Sequence, residues 1–526
     1  MAYFCLYFYV CALVNADSRC KNKLCINSRP FVCVDSQIAH STKDGSKEKT
    51  ESEGEPMQRG YHWIVCAVLI IGEMAGGGLV ALPSSFINTG LWPGILMATV
   101  SAVLTGYTSV QLGDNWLMMQ KRWPEYHMPC RKPYPEMAYR AVGNIGSAFV
   151  SIIIAIQQFG MSVVFLLLAS NNISSFLYSF WQIKINFCFT ALAVAAFITP
   201  FLMLGSAKDF WQAGFVATFS TSIAVVLMII GVHHDWGTCT PEVDFPPVVI
   251  NNFFLAYGTI MFAYGVHSVI PTLQNDMKIP NDFTKSIVLG FVVTLILYLP
   301  ISILGYLVYG GSQGSSIISS LQLTWVQQTV NILITIHVTV TQIIICSPLS
   351  LQIEELFRVP NQFGVRRVIV RCTIVICVLF TALSIPKFGV ILDLIGGTTI
   401  TLLSMILPAI FNLCLIASSK KRQLIKNSKQ SQDSIYASVT DVFHHNSSPL
   451  LVMNFCVLAF GLIGGIASTS SAIAKLATTK WELPCYVEVF MGTLSFKGEG
   501  GVVSCCGRFK NITSMTGVDA SGFCTL

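Results

Sequence analysis

Three consecutive glycines, Gly76, Gly77 and Gly78, follow an acidic residue, Glu73, in an otherwise apolar stretch that ends at Pro83. A glycine run weakens helical hydrogen bonding and admits unusual backbone angles. A break at these residues would leave free amide N–H groups at the start of the next half-helix, and that positive end can hold a carboxylate. The competing reading is close helix–helix packing through small residues. A second stretch, Phe262-Ala263-Tyr264-Gly265-Val266-His267-Ser268-Val269-Ile270-Pro271, also carries the glycine and proline that permit a discontinuity. Glu73 would lie about 16 Å along a helix starting near His62, at about 1.5 Å per residue, which is close to mid-membrane. A carboxylate there is costly to keep charged, so it is expected to be protonated, paired or functional. Reversible proton binding at Glu73 is one expectation; a hydrogen bond that only braces the break is the other. His267 and His337 titrate near physiological pH when unperturbed, but a helical histidine is more often a satisfied packing residue. Thr335, Thr339 and Thr341 share one apolar helix, and a sodium site would need such hydroxyls beside free carbonyls. Thr339 is the candidate to face the glycine-rich span, against the alternative that its hydroxyl bonds back to its own helix.

The elements that must position these residues are membrane helices. The chain has 526 residues, 53% of them hydrophobic and only 11% charged, against about 25% charged in soluble domains. Many apolar runs reach the roughly 20 residues that cross a hydrocarbon core, and backbone facing lipid must be helical unless a barrel closes. The alternating segments of a barrel are absent. Eleven crossings are expected, at about 62–86, 91–117, 147–171, 186–204, 211–231, 249–271, 286–309, 324–350, 368–385, 388–416 and 450–472. The chain then divides into a mostly disordered cytoplasmic segment 1–60, a transmembrane domain 61–473 and a non-cytoplasmic tail 474–526 without an assigned role. With a cytoplasmic N-terminus, eight Lys/Arg before the first crossing fall inside, as do Lys121, Arg122, Arg131, Lys132 and Arg140. So do Arg358, Arg366, Arg367, Arg371 and the basic run beginning at Lys420, whereas the outer loops before the tail hold only Lys184 and Lys387. This bias is the positive-inside signature. Residues 1–15 have the apolar core of a signal peptide without its basic start, and cleavage there would invert the charge pattern.

The net charge of +6 follows this topology and does not point to nucleic acid. No Cys/His spacing suggests a metal site, no phosphate loop suggests a pump, and no cluster of His, Asp and Glu suggests a membrane enzyme. Neither a filter-like repeat nor a ring of charge points to a channel. Cys188 and Cys239 would both lie near the outer face, where a disulfide or two free thiols are open alternatives. Asp393 would lie near the outer end of its helix and is expected to be hydrated. Three glycosylation sequons occur: Asn172 and Asn511 on the outer side, and Asn446 on the cytoplasmic side.

Over about residues 60–472 the chain resembles the amino acid/auxin permease family. GEMAGGGLVALPSSFINTG and FAYGVHSVIPTLQNDM carry the likeness, with LDLIGGTTITLLSMILPAIFNL and GLIGGIASTSSAI. The resemblance implies an all-α membrane protein of inverted five-helix repeats, of the leucine-transporter type, with an eleventh helix appended. It implies a secondary active transporter of amino acids in the plasma membrane or a lysosomal or vesicular membrane. Transport would be coupled to H⁺ by preference over Na⁺, as symport, with no cofactor and with the substrate and the lipid bilayer as partners. The substrate carboxylate would meet the amides around Gly76, Gly77, Gly78 and Leu79, and the ammonium would meet carbonyls near Phe262, Ala263 and Tyr264. Selectivity would come from Tyr264 and facing residues of helices 3 and 8. Glu73, His267 and Thr339 are the candidates for ion coupling. An amino acid-sensing membrane receptor with the same fold is the alternative function.

Overall fold

The computed structural model describes residues 60–478, apart from 129, 182, 184, 204–210, 361 and 426–435, and in the tail 484, 486–487, 505–513 and 517–518. The expectations for the start of the chain, including its signal-like run and its disorder, lie outside the described residues.

The apolar runs fold as helices because a buried backbone must satisfy its own polar groups. The first crossing is two helices, α1 (Trp63–Met74) and α2 (Gly77–Thr89), bent by 55°. The His62 side chain caps α1 by accepting from the amide of Ile64. Helix α3 is Leu91–Arg122. A short helix, α4 (Pro133–Val142), leads into α5 (Asn144–Trp181), and α6 (Phe187–Leu202) and α7 (Trp211–Cys239) follow. The sixth crossing is again divided, into α8 (Ile250–Ala263) and α9 (Ile270–Asn275). Pro271 opens α9, where a missing N–H costs nothing. Then come α10 (Phe283–Tyr309), α11 (Thr324–Leu356) and α12 (Val365–Ser384). Helix α13 (Phe388–Leu424) contains two π-helical turns, Gly396–Ile400 and Leu402–Ile406. The small helix α14 (Val439–His445) and the last span, α15 (Ser448–Thr478), complete the bundle. A two-residue hairpin, Ile512–Thr513 with Gly517–Val518, is the one sheet among the described residues.

The expected crossings fall on helical segments, two of them broken, at 75–76 and at 264–269. Among the described residues, eight helices are long and apolar enough to span a membrane, and the bent α1–α2 pair makes nine. Phe187–Leu202 and Ile250–Ala263 are shorter apolar helices in the places of the other two.

Contacts between connecting segments define two ends of the bundle. At one end Lys132 pairs with Glu355 at 2.5 Å, Arg122 donates to Ser418 at 2.8 Å and Lys421 pairs with Asp441 at 2.7 Å. Tyr61 belongs there too, because its amide bonds Asp276 and its carbonyl accepts from Lys278. At the other end Asp235 accepts from the Tyr309 hydroxyl at 2.7 Å, the Gly311 amide bonds Asp244, and Cys239 is disulfide-bonded to Cys506. Spans one and six therefore run in opposite directions, and they stand five crossings apart.

Candidate functional site

The site is built from what the two breaks leave unpaired. In the first, Ala75 and Gly76 are not helical. The Gly76 amide turns to Met74 and the Leu79 amide to Gly76, at 2.8 and 3.1 Å. The amides of Gly77 and Gly78 find no backbone acceptor among the described residues. Of the four amides that the resemblance assigns to a carboxylate, these two are open, and the other two bond within the break. The amides at α2's N-terminus carry the positive end of its dipole.

In the second break the chain from Tyr264 to Val269 holds itself by tight turns: Gly265 bonds Phe262, and Val266 bonds Tyr264. The carbonyls of Phe262 and Tyr264 thus already accept one bond each, leaving each with one further lone pair. The Ala263 carbonyl accepts from the Tyr298 hydroxyl at 3.0 Å, and the same hydroxyl lies 2.6 Å from the carbonyl of Met74. One tyrosine on α10 therefore ties the two breaks together with a single proton shared between two carbonyls. Sequence reasoning did not single it out, because nothing in the α10 sequence distinguishes Tyr298 from a packing aromatic.

The two breaks are also in steric contact. A Cβ on Gly78 would lie 2.5 Å from Cα of Ala263, so only glycine lets these backbones meet. Gly76 faces α11: a Cβ there would lie 2.9 Å from Nε2 of His337 and 3.6 Å from the ring of Phe165. Phe165 and Val164 on α5 face Gly77. On α5 and α11, the third and eighth expected crossings, the residues that face the glycine run are Phe165, Val164 and His337. Gly76, Gly77, Gly78, Leu79, Phe262, Ala263 and Tyr264 are all buried.

His337 is buried, and its Nδ1 lies 3.0 Å from the Ala217 carbonyl on α7. A carbonyl only accepts, so Nδ1 carries the hydrogen. Nε2 is then an acceptor, and it faces the break with only the Thr341 hydroxyl near it, at 3.4 Å. His267 is arranged alike. Its Nε2 lies 3.0 Å from the Thr105 carbonyl, with the hydroxyls of Thr108 and Ser109 equally close. Its Nδ1 is buried without a partner. Each histidine is pinned to a neighbouring helix by one nitrogen and keeps the other available to a proton.

Glu73 sits in the last turn of α1, half-buried, and its carboxylate makes no hydrogen bond or ion pair among the described residues. It does not brace the break. Thr339 is partly exposed and lies two residues beyond His337, about 200° around the helix. His337 is thus the α11 side chain that meets Gly76.

Two expectations need correction. Asp393 is not hydrated: it is 5% exposed and accepts from Thr259 of α8 at 2.5 Å. Its helix packs directly on α8, with Gly396 so close to the Gly258 backbone that no side chain fits between, which excludes water. Cys239 does not pair with Cys188. Its partner is Cys506 in the tail, 267 residues away, and Cys188 has a disulfide of its own. The tail lacked the periodicity that would have placed it near α7.

The model of the family of transmembrane amino acid transporter proteins matches residues 59–440. The match takes in both breaks and α13 but stops before α15, where the GLIGG motif lies. Amino acid transporter AVT1B of Arabidopsis thaliana is 24% identical over 363 residues, 67% of this chain and 64% of that protein. The lysine histidine transporter-like 1 of the same plant is 24% identical over 401 residues, 72% of this chain and 86% of that one. The chain thus spans less than two thirds of the length of AVT1B. A solved manganese transporter of Eremococcus coleocola overlays with a TM-score of 0.48 at 11% identity, covering 83% of this chain and 91% of that chain, a likeness too distant to inform the site. With its matched residues enclosing both interrupted spans, the chain belongs to the family of transmembrane amino acid transporter proteins.

Proposed function

We propose that the protein is a secondary active transporter that carries amino acids across a membrane by alternating access, coupled to protons. The observation that carries the reading is the meeting of two antiparallel interrupted spans, where Gly78 abuts the Ala263 backbone and its amide and that of Gly77 are left open. A zwitterion needs donors for its carboxylate and acceptors for its ammonium within one small volume. The amides of Gly77 and Gly78 supply the first. The remaining lone pairs of Phe262, Ala263 and Tyr264 supply the second, and Phe165, Val164 and Tyr264 set the space for the side chain.

Alternating access follows from having two half-helices on each side of the site. The halves α2 and α8 close it toward the end that holds Cys239, and α1 and α9 close it toward the basic end. The basic end is cytoplasmic in this reading, because positive residues gather on that side. Proton coupling is supported by Glu73, a carboxylate at mid-span without a partner among the described residues, by the unpartnered Nδ1 of His267 and by Nε2 of His337, which meets only the Thr341 hydroxyl. Taking a proton removes the cost of holding Glu73 charged away from water, so loading and release of the proton change the stability of the break beside it. A sodium site using Thr339 would need that hydroxyl turned toward free carbonyls.

The test is uptake of a panel of labelled amino acids into proteoliposomes, with proton and sodium gradients imposed separately. Accumulation driven by an inward proton gradient is expected. Amino acid binding with no flux under either gradient would move the assignment to an amino acid-sensing receptor, and accumulation driven by sodium alone would remove the proton.

A further inference from the structure

The three sequons are equivalent as text, and the structure separates them. Asn172 lies within α5, a helix long and apolar enough to cross a membrane. Asn446 is 8% exposed, and its side-chain nitrogen donates to the carbonyls of Leu413 and Val442 at 3.1 and 2.9 Å. It closes α14 at the basic end, beside the contact between Lys420 and the His445 carbonyl. Asn511 is at the opposite end, partly exposed, and its side chain makes no hydrogen bond among the described residues.

What holds Asn511 there is local and well defined. Cys506 is bonded to Cys239 at the end of α7, and the Arg508 amide donates to the Glu242 carbonyl at 2.7 Å. Cys506 and Ile512 exchange two backbone hydrogen bonds, at 2.9 and 3.2 Å, and the Lys510 amide closes the turn onto Gly507. Asn511 follows that turn directly. Cys130, at the basic end, is disulfide-bonded as well, so the disulfides do not choose a side; the charge distribution and the exposure of Asn511 do, and they agree.

We propose that Asn511 carries an N-linked glycan, making the segment around Cys506 a covalently anchored, glycosylated cap on the non-cytoplasmic end. In the transfer the Asn511 amide nitrogen forms a bond to C1 of the first sugar of a polyisoprenyl-pyrophosphate oligosaccharide. The C1–oxygen bond to the pyrophosphate breaks, that pyrophosphate leaves with the electron pair, and the amide gives up one proton. Thr513 supplies the hydroxyl that the sequon requires. The inference does not depend on what the protein transports; it rests on the assignment of the basic end as cytoplasmic.

The test is the full chain expressed in a eukaryotic cell, treated with peptide N-glycosidase and compared by mobility. A single-glycan shift is expected in the wild type, in Asn172→Gln and in Thr513→Ser. The shift is expected to vanish in Asn511→Gln and Thr513→Ala. Retention of the Cys239–Cys506 bond in these variants, read by non-reducing electrophoresis, keeps the result separate from misfolding of the tail. A wild-type chain that does not shift, or a shift that survives Asn511→Gln, overturns the proposal. A shift abolished only by Asn446→Gln overturns it as well and shows that the membrane orientation is reversed, while leaving the transport reading untouched.

Discussion

At the scale of single residues, the site depends on a few groups left with unused valence. Glu73→Gln keeps the size of the side chain and removes its proton exchange. It is expected to make uptake independent of external pH while substrate still binds. Uptake by the variant that follows pH as the wild type does would remove Glu73 from coupling. Tyr298→Phe deletes the hydroxyl that serves both Met74 and Ala263. An unsatisfied buried acceptor costs about 1–3 kcal/mol, so the variant is expected to melt earlier in detergent and to lose coordination between the breaks. A variant with wild-type stability and uptake would show that the shared bond does not matter. These groups were unevenly legible. Glu73 and the glycines stood out because their types are rare inside apolar runs. Tyr298 and Phe165 did not, because aromatic residues are ordinary lining for any buried helix.

At the scale of elements, the approach of α2 to α8 is controlled by one missing methyl group. Gly78→Ala would place a Cβ 2.5 Å from Cα of Ala263, and backbone cannot yield as a flexible side chain does. Overpacking of this kind costs about 1–3 kcal/mol, and the expected outcome is a protein that reaches the membrane with uptake largely lost. The junction of α11 and α12 is held differently. Arg371 is buried, donates to Glu354 at 2.6 Å and also to the Leu202 carbonyl, with Arg367 beside them. Glu354→Ala breaks this buried ion pair, which costs about 3–5 kcal/mol, so a steep fall in thermal stability is expected. Neither the Arg371–Glu354 pairing nor the π turns of α13 can be read from the chain. The first joins residues 17 apart on two helices, and the second depends on how α13 fits against Gly258. The short helix α14 serves as a control. Lys421 and the Ser438 amide hold the Asp441 carboxylate down at about 2. Its folded value is depressed, so its contribution is present above the ordinary carboxylate range and is lost only as pH falls through about 2. Asp441→Asn is therefore expected to leave the pH profile of uptake near neutrality unchanged.

At the scale of the whole molecule, the Cys239–Cys506 bond ties the segment around Cys506 to the end of α7. Cleavage by a protease between α15 and residue 505 is expected to leave the fragment attached until a reductant is added. A fragment released from the wild type under non-reducing conditions would exclude the bond. The bond also explains how residues 505–513, which carry no helical period, are placed against α7: a covalent tie and a handful of backbone hydrogen bonds hold them.

The sequence by itself determined the membrane class, the places of the helices, the two interrupted spans and the bias of charge. Those properties follow from composition and local chain stiffness: apolar length sets a span, glycine and proline interrupt it, and basic residues collect at one end. Only the tertiary structure decided which groups meet. The pinning of His337 to the Ala217 carbonyl, the contact of Asp393 with Thr259, the shared hydroxyl of Tyr298 and the pairing of Cys239 with Cys506 all join residues far apart in the chain. Their partners are fixed by how helices rotate and pack against one another, and helical periodicity leaves that rotation free.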